Sequence, residues 1–249
     1  MKLRFLAFGF LCLGALRVAH ADPLMNPRPA PQPFFDDLGA LDPLRWHRNG
    51  PWFNGGIFGA GWKTENARLE DDRLKLRIDA TPFDDKVPYS AGEVGSQALY
   101  GYGLFETRMK PIRAAGVISA FFTFVNKPVH DEIDIEFTGN NTRGFDMTYY
   151  TAGKAVSMGR CVLPFDAADA FHTYGIDWRP DAIIWLVDGR EVARATGDKG
   201  PIPRNPGEIM MNAWPTKGAD GWAGPFQKPD APLEAVYDWV RWTPLAGAK

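Results

Sequence analysis

Asp131-Glu132-Ile133-Asp134-Ile135-Glu136-Phe137 is the stretch that decides the fold. From Glu132 onwards, acidic and apolar side chains alternate. Successive side chains of a β-strand point to opposite faces of a sheet. We therefore expect a strand that turns Ile133, Ile135 and Phe137 towards the core. Its other face carries a row of three carboxylates, Glu132, Asp134 and Glu136. The apolar segment from Phe121 to Val125 indicates that this row lies in the middle of a sheet.

The remaining sequence predicts strands and turns rather than helices. Leu74 to Ile78 and Phe105 to Met109 alternate apolar and polar residues, as half-buried antiparallel strands do. Asp188-Gly189, between two apolar segments, is typical of a two-residue hairpin turn. The one candidate helix, Asp166 to Phe171, is very short. With 26 Gly and 21 Pro as well, the pattern predicts an all-β fold, an antiparallel β-sandwich, and disfavours a parallel α/β fold.

The first residues are typical of a secretory leader. Basic residues precede an apolar run that is too short to cross a bilayer, and Ala19-His20-Ala21 fits an Ala-x-Ala cleavage site. The predicted organisation is a signal peptide at residues 1–21, a proline-rich arm at 22–33 and one domain at 34–249. We expect a secreted or periplasmic protein that has no membrane partner after cleavage.

Charge and aromatic content indicate which classes of partner the chain is suited to bind. The chain has 28 basic residues against 30 acidic ones, so it lacks the basic footprint of a nucleic-acid-binding protein. Its nine Trp all follow the predicted leader. Flat aromatic rings suit stacking on sugars, although we expect most of these Trp in the core.

Three carboxylates in a row repel one another and are costly to desolvate, so a fold usually keeps such a row for chemistry, a metal or a basic partner. Two carboxyl groups that flank a glycosidic bond can hydrolyse it, with retention of configuration at a separation of ~5–5.5 Å and inversion at roughly 6.5–9.5 Å. In a flat strand the Cα atoms of Glu132 and Glu136 would lie about 13 Å apart. A twisted, concave sheet can lean the two long side chains together over Asp134, which would hydrogen-bond one of them. A calcium site and a solvated sheet face are the alternatives.

Further segments occur in a fixed order around this motif and carry a resemblance to a known family. They are Thr148-Tyr149-Tyr150-Thr151, Phe171 to Trp178, Val187-Asp188-Gly189, Ile209 to Trp214 and Tyr237 to Val240. Together with the acidic motif, they make the chain similar to glycoside hydrolase family 16, and to the bacterial lichenases within it. The resemblance implies a jelly-roll β-sandwich of two curved antiparallel sheets with a concave substrate cleft. It also implies an endo-acting, retaining hydrolase of β-1,3-1,4-glucan or a related β-glucan, with no cofactor for catalysis. We expect it to act as a monomer.

The resemblance also implies roles for individual residues. Glu132 would be the nucleophile, Glu136 the acid/base and Asp134 the residue that orients them. The substrate-binding positions would be Trp214, Asn212, Tyr150, Glu93, Asn54, Phe58, His130, Thr148 and Trp222. Core roles remain open for Phe58 and Trp222, as does an ion pair of Glu93 with a surface Lys. Asp238 matches a position whose backbone oxygen helps to bind a structural calcium.

Three departures from the lichenase pattern bear on the substrate. His130 replaces an aromatic residue, Gly95 replaces an Arg, and Thr148 replaces an Asn. Bacterial exopolysaccharide glycanases of the same family also place His-Asp before the motif. An endo-glycanase that trims an exopolysaccharide such as a succinoglycan-like polymer is therefore an alternative. A transglycosylase is another, and so is a non-catalytic glucan-binding sandwich, although that class normally lacks one of the two Glu residues.

Overall fold

The computed structural model describes residues 31–247. The predicted signal peptide and the predicted arm up to residue 30 lie outside the described residues. Strand β1 begins at Phe34, where the predicted domain starts. In the part of the chain that the structure describes, no helix has the length and the apolar character needed to cross a membrane.

Sixteen strands, one 3-10 turn and one short helix make up the described residues. The strands are β1 Phe34–Asp36, β2 Trp46–Arg48, β3 Gly61–Trp62, β4 Ala67–Glu70, β5 Arg73–Asp79, β6 Ser90–Ser96, β7 Gly103–Lys110, β8 Val117–Val125, β9 Asp131–Thr138, β10 Gly144–Thr151, β11 Lys154–Val162, β12 His172–Trp178, β13 Ile183–Val187, β14 Arg190–Ala195, β15 Glu208–Pro215 and β16 Leu233–Pro244. The 3-10 turn is Thr64–Asn66 and the helix, α1, is Asp220–Ala223.

The strands form two layers that join at one side. The first sheet has the order β11-β10-β9-β8-β15-β6, with β2 paired to β6. The second has the order β5-β16-β7-β12-β13-β14. Strand β6 also pairs with β5, so the two layers are continuous there, and every named strand pairing except β3 with β6 is antiparallel. The result is the predicted jelly-roll β-sandwich of two curved antiparallel sheets.

The core lies between the two sheets. Ile133, Ile135 and Phe137 of β9 have no exposed surface, as the alternation predicted. Phe137 packs edge-on against Tyr174 of β12 with ring centroids 4.9 Å apart. The indole of Trp185 in β13 donates a hydrogen bond of 2.9 Å to the backbone oxygen of Asp134. The second sheet therefore fixes the position of β9 from below.

Of two local predictions, a hairpin turn and a short helix, the structure confirms only the turn. The Asp188-Gly189 turn is confirmed, because β13 ends at Val187, β14 begins at Arg190, and both turn residues have the positive φ that such a turn requires. The short helix predicted from Asp166 to Phe171 is wrong. There the Asp166 carboxylate accepts hydrogen bonds from the Ala168 backbone N–H and the Thr142 hydroxyl, and these bonds favour a turn.

Candidate active site

The acidic side chains of β9 lie on the concave face of the first sheet, opposite to the core-facing residues. Directly paired residues of neighbouring strands share one face, so the register assigns the rest of the cleft floor. The Glu132 row contains Tyr150, Glu132, Phe124 and Glu208. The Asp134 row contains Thr148, Asp134, Phe122, Met210, Gly95 and His47. The Glu136 row contains Asp146, Glu136, Ala120, Asn212 and Glu93. Four predicted substrate-binding residues, Tyr150, Thr148, Asn212 and Glu93, thus share a face with the carboxylates.

Two of the three carboxyl groups hold their protons unusually tightly. Burial, reinforced by the charges of Glu132 and Asp146, raises the pKa of Glu136 to about 8. Burial and the charges of Glu132 and Glu136 raise the pKa of Asp134 well above its usual value, and Asp134 also hydrogen-bonds Glu132. Glu136 therefore carries a proton at neutral pH, and the raised pKa of Asp134 favours its protonated form, which donates to Glu132.

Asp146 is a site residue that the sequence analysis missed. Its carboxylate accepts a hydrogen bond of 2.9 Å from the Trp222 indole and pairs with Arg160 at 3.1 Å. It faces Glu136 across β9 and β10 and helps to raise the pKa of that residue. Asp146, Thr148 and Tyr150 alternate along β10, so the same period of two that identified β9 could have pointed to it.

His130 lies directly against the predicted nucleophile. Its Nε2 is 2.5 Å from Oε2 of Glu132. Its ring stacks on Tyr150, with centroids 4.7 Å apart and planes 22° apart, and also contacts Phe124. Burial and the three carboxylates raise the pKa of Tyr150, which keeps its hydroxyl available as a donor. The residue that departs from the lichenase pattern therefore contacts the predicted nucleophile directly.

Glu93 and Asn212 form a buried polar unit in the Glu136 row. The Nδ2 groups of Asn212 and Asn49 donate to the two Glu93 oxygens at 3.0 and 2.8 Å. Burial raises the pKa of Glu93 to about 7, while these two donors oppose that rise. Glu93 therefore bonds two Asn side chains and does not pair with a surface Lys, which was the open alternative. Asn49 comes from a loop with no local pattern, so sequence analysis could not identify it.

The aromatic residues predicted to contact sugar form one wall of the cleft. Phe58 stacks on Trp214 with centroids 4.1 Å apart and lies edge-on to Trp62. Trp214, one of the predicted substrate-binding residues, is only 3% exposed because Phe58 covers it. Asn54 accepts a hydrogen bond from the Trp62 indole. Trp222, partly buried, packs on Trp214 and reaches Asp146, so it joins this wall to the Glu136 row.

Asp131, which precedes Glu132, is structural. Its carboxylate accepts hydrogen bonds from the backbone N–H groups of Ala152, Arg204 and Asn205 and from the Asn205 side chain. Burial alone would raise the pKa of Asp131, but these donors lower it below its usual value. These donors favour the charged form of Asp131, which ties the start of β9 to two neighbouring loops.

At Asp238 the group that the resemblance assigns to calcium is the backbone oxygen, and the side chain has partners of its own. Its carboxylate pairs with Arg73 at 2.8 Å and with Arg108. Calcium binding by the backbone oxygen stays a prediction. Among residues 31–247, no group of three or more His, Cys, Asp or Glu side chains is arranged to hold a metal ion.

Comparison with known proteins agrees with this geometry. The profile of glycosyl hydrolases family 16 matches residues 56–241. A beta-glucanase of Brevibacillus brevis is 40% identical over 223 residues, which cover 88% of this chain and 84% of that protein.

Solved structures show the same likeness. A prokaryotic beta-1,3-1,4-glucanase (lichenase) derived from a mouse hindgut metagenome superimposes with a TM-score of 0.80 at 38% identity, covering 86% of this chain and 99% of that one. A Bacillus licheniformis beta-glucanase also has a TM-score of 0.80, at 36% identity, covering 85% of this chain and 97% of that one. The matched segment, the relatives and the row of carboxylates lead to one conclusion: the chain belongs to glycosyl hydrolases family 16.

Proposed function

We propose that this glycosyl hydrolase is an endo-acting, retaining β-glucanase whose natural substrate is β-1,3-1,4-glucan or a related β-glucan. One observation carries the proposal: Glu132 and Glu136 share the concave face, and their surroundings differ. Both side chains are partly buried, but desolvation and neighbouring charges raise the pKa of Glu136, whereas Glu132 accepts a hydrogen bond from Asp134 and contacts His130. Two carboxyl groups in unlike environments are suited to an acid role and a nucleophile role.

In the first step, a Glu132 oxygen attacks the anomeric carbon and forms a covalent glycosyl ester. Glu136 donates its proton to the glycosidic oxygen, and that bond breaks as the leaving half of the glucan departs as an alcohol. Protonated Asp134 supports this step because its hydrogen bond holds Glu132 in place.

In the second step, Glu136 changes from acid to base. The negative charge of Glu132 is one of the causes of the raised pKa of Glu136, and that charge is lost when the ester forms. The pKa of Glu136 therefore falls in the intermediate, so that it can take a proton from water. The resulting attack on the anomeric carbon releases Glu132 and a product of retained configuration.

The substrate assignment draws on the relatives, which are named beta-glucanase and beta-1,3-1,4-glucanase. His130 favours the second candidate, an exopolysaccharide glycanase, because that subgroup of the family also has His-Asp before the motif. The presence of both Glu residues disfavours a non-catalytic binding domain. We further propose export, on the sequence pattern of residues 1–21, and action as a monomer.

The experiment is to measure the reducing ends released from barley-type mixed-linkage glucan, laminarin, carboxymethyl cellulose and an acidic exopolysaccharide, and to size the products. We expect rapid release of short oligosaccharides from mixed-linkage glucan. Glu132→Gln and Glu136→Gln should each lose activity by several orders of magnitude, and Asp134→Asn should lose less. Glu191→Gln, an exposed change on β14, is the matched control. Cleavage confined to the acidic polymer would support the second candidate instead.

A further inference from the structure

A His–Glu pair lies at the far end of the cleft floor, away from the carboxylates. His47 of β2 closes the Asp134 row, and Glu208 of β15 closes the Glu132 row. His47 Nε2 is 3.5 Å from Glu208 Oε2. Both side chains are about one third exposed, so a ligand in the cleft can reach them.

Gly95 makes room for this pair. A Cβ atom added at Gly95 would lie 2.7 Å from His47 Nε2 and 2.8 Å from Glu208 Oε2, closer than real Cβ contacts. The two polar side chains therefore fill the space above Gly95. The same position carries an Arg in the lichenase pattern, so this chain has a carboxylate and an imidazole where that pattern has a cation.

The pair belongs to the same cleft as the catalytic groups. Four strand steps separate Asp134 from His47 along the row, or about 19 Å at the usual spacing between strands. That distance spans several sugar units of an extended glucan. Glu208 also faces Glu93 closely enough to help raise its pKa, which links the pair to the Glu93–Asn212 unit. A cavity of about 350 Å³ bounded by His47, Arg48, Thr64 and Gln97 leaves this end open to solvent.

We propose that His47 and Glu208 form a distal sugar-binding subsite that accepts a neutral, unsubstituted glucosyl unit and rejects one that carries an acidic group. Glu208 accepts hydrogen bonds from sugar hydroxyls, and the imidazole of His47 offers the sugar a second hydrogen-bonding group beside that carboxylate. An acidic substituent would meet the like charge of Glu208. This inference rests on the proposed β-glucanase function and narrows its substrate to uncharged glucans.

The test measures kcat/KM for mixed-linkage gluco-oligosaccharides of increasing length. Short ones occupy only the catalytic rows and report on the proposed function alone, whereas long ones also reach the pair. We expect Glu208→Gln and His47→Gln to lower kcat/KM about tenfold for the long oligosaccharides, because a hydrogen bond to a charged partner is lost or weakened. Short oligosaccharides and the control Glu191→Gln should show no change.

The outcomes separate the two proposals. If the unmodified enzyme cleaves none of these oligosaccharides, the proposed function fails. If it cleaves them and both variants keep the full advantage of long substrates, the subsite is overturned. A second readout uses carboxymethylated mixed-linkage glucan at low salt, where Glu208→Lys should raise the rate relative to that on unmodified glucan. No relative gain in a variant with an unchanged melting temperature would contradict the charge argument.

Discussion

At the scale of single residues, Glu136 is the group whose titration we expect to control the activity. Its pKa of about 8 means that it carries its proton at neutral pH and loses it as the pH rises. A deprotonated Glu136 cannot protonate the leaving oxygen. We therefore expect kcat/KM to fall as the pH rises through about 8, and a pH profile on soluble mixed-linkage glucan checks this.

Asp146 offers an internal control for that profile. Its negative charge helps to raise the pKa of Glu136, so Asp146→Asn should lower that pKa and move the alkaline limb to lower pH. Two results would contradict the acid role given to Glu136. One is an alkaline limb of the pH profile that lies at the same pH in Asp146→Asn as in the unmodified enzyme. The other is an alkaline limb of the unmodified enzyme near the ordinary pKa of a glutamate.

His130 makes a second prediction at this scale. Because its Nε2 contacts Glu132 and its ring stacks on Tyr150, it fixes the rotamer of the nucleophile. We expect His130→Ala to lower kcat about tenfold or more, the effect of losing a hydrogen bond to a charged group. His130→Gln, which can still donate to Glu132, should restore part of the loss. Equal kcat values for His130→Ala and the unmodified enzyme would show that His130 only fills space.

At the scale of elements, the alternation in β9 was sufficient to predict the strand, its buried face and its three carboxylates. Those facts are local, since a period of two is written in consecutive residues. The partners of the carboxylates are not local. Asn49 reaches Glu93 from 44 positions away, and the donors to Asp131 lie as far as 74 positions along the chain. Such contacts depend on how strands pair, which no short pattern records.

Glu93 of β6, paired with Asn212 of β15, leads to a prediction about how stability depends on pH. The pKa of Glu93 is about 7 in the folded state, against 4.5 in an unperturbed glutamate. Between these values the folded state binds more protons than the unfolded state, so the contribution of Glu93 to the free energy of unfolding falls as the pH rises. The fall is on the order of 3 kcal/mol between about pH 4.5 and pH 7.

Glu93→Gln should remove this contribution. We expect urea unfolding at pH 5 and at pH 7.5 to give free energies that differ less in Glu93→Gln than in the unmodified protein. Glu65→Gln, at an exposed position of the 3-10 turn, is the control and should leave the difference unchanged. A difference that is the same in all three proteins would show that Glu93 is ionised equally in the folded and unfolded states.

At the scale of the whole molecule, the prediction of an all-β sandwich needed only strand patterns and turn chemistry. The jelly-roll order of the strands was predicted from the resemblance to a family. No local pattern in β8 or β15 indicates that these two strands, far apart in sequence, lie side by side. The burial of Trp214 also depends on distant residues. A Trp in an apolar strand is easily identified from sequence, but the Phe58 ring that covers it belongs to a distant loop.

The convex side of the molecule gives a prediction about metal. Arg73 and Arg108 pair with Asp238, and both guanidinium groups also lie over the ring of Phe171. If the backbone oxygen of Asp238 binds calcium, added calcium should raise the melting temperature and a chelator should lower it. Asp238→Ala should lower the free energy of unfolding by about 1 kcal/mol through its lost ion pairs, the scale of partly exposed pairs. A melting temperature that neither calcium nor a chelator changes would contradict the calcium prediction.

In the proposed retaining mechanism, Glu132 is the nucleophile and Glu136 is the acid/base. Azide rescue of the two alanine variants distinguishes these roles, with a mixed-linkage gluco-oligosaccharide that carries an activated leaving group. Azide should restore activity to Glu132→Ala and give an α-glycosyl azide, because azide then attacks from the face that Glu132 left vacant. Rescue of Glu136→Ala should give the β-glycosyl azide. An α-glycosyl azide from Glu136→Ala would reverse the two roles and contradict this account of the site.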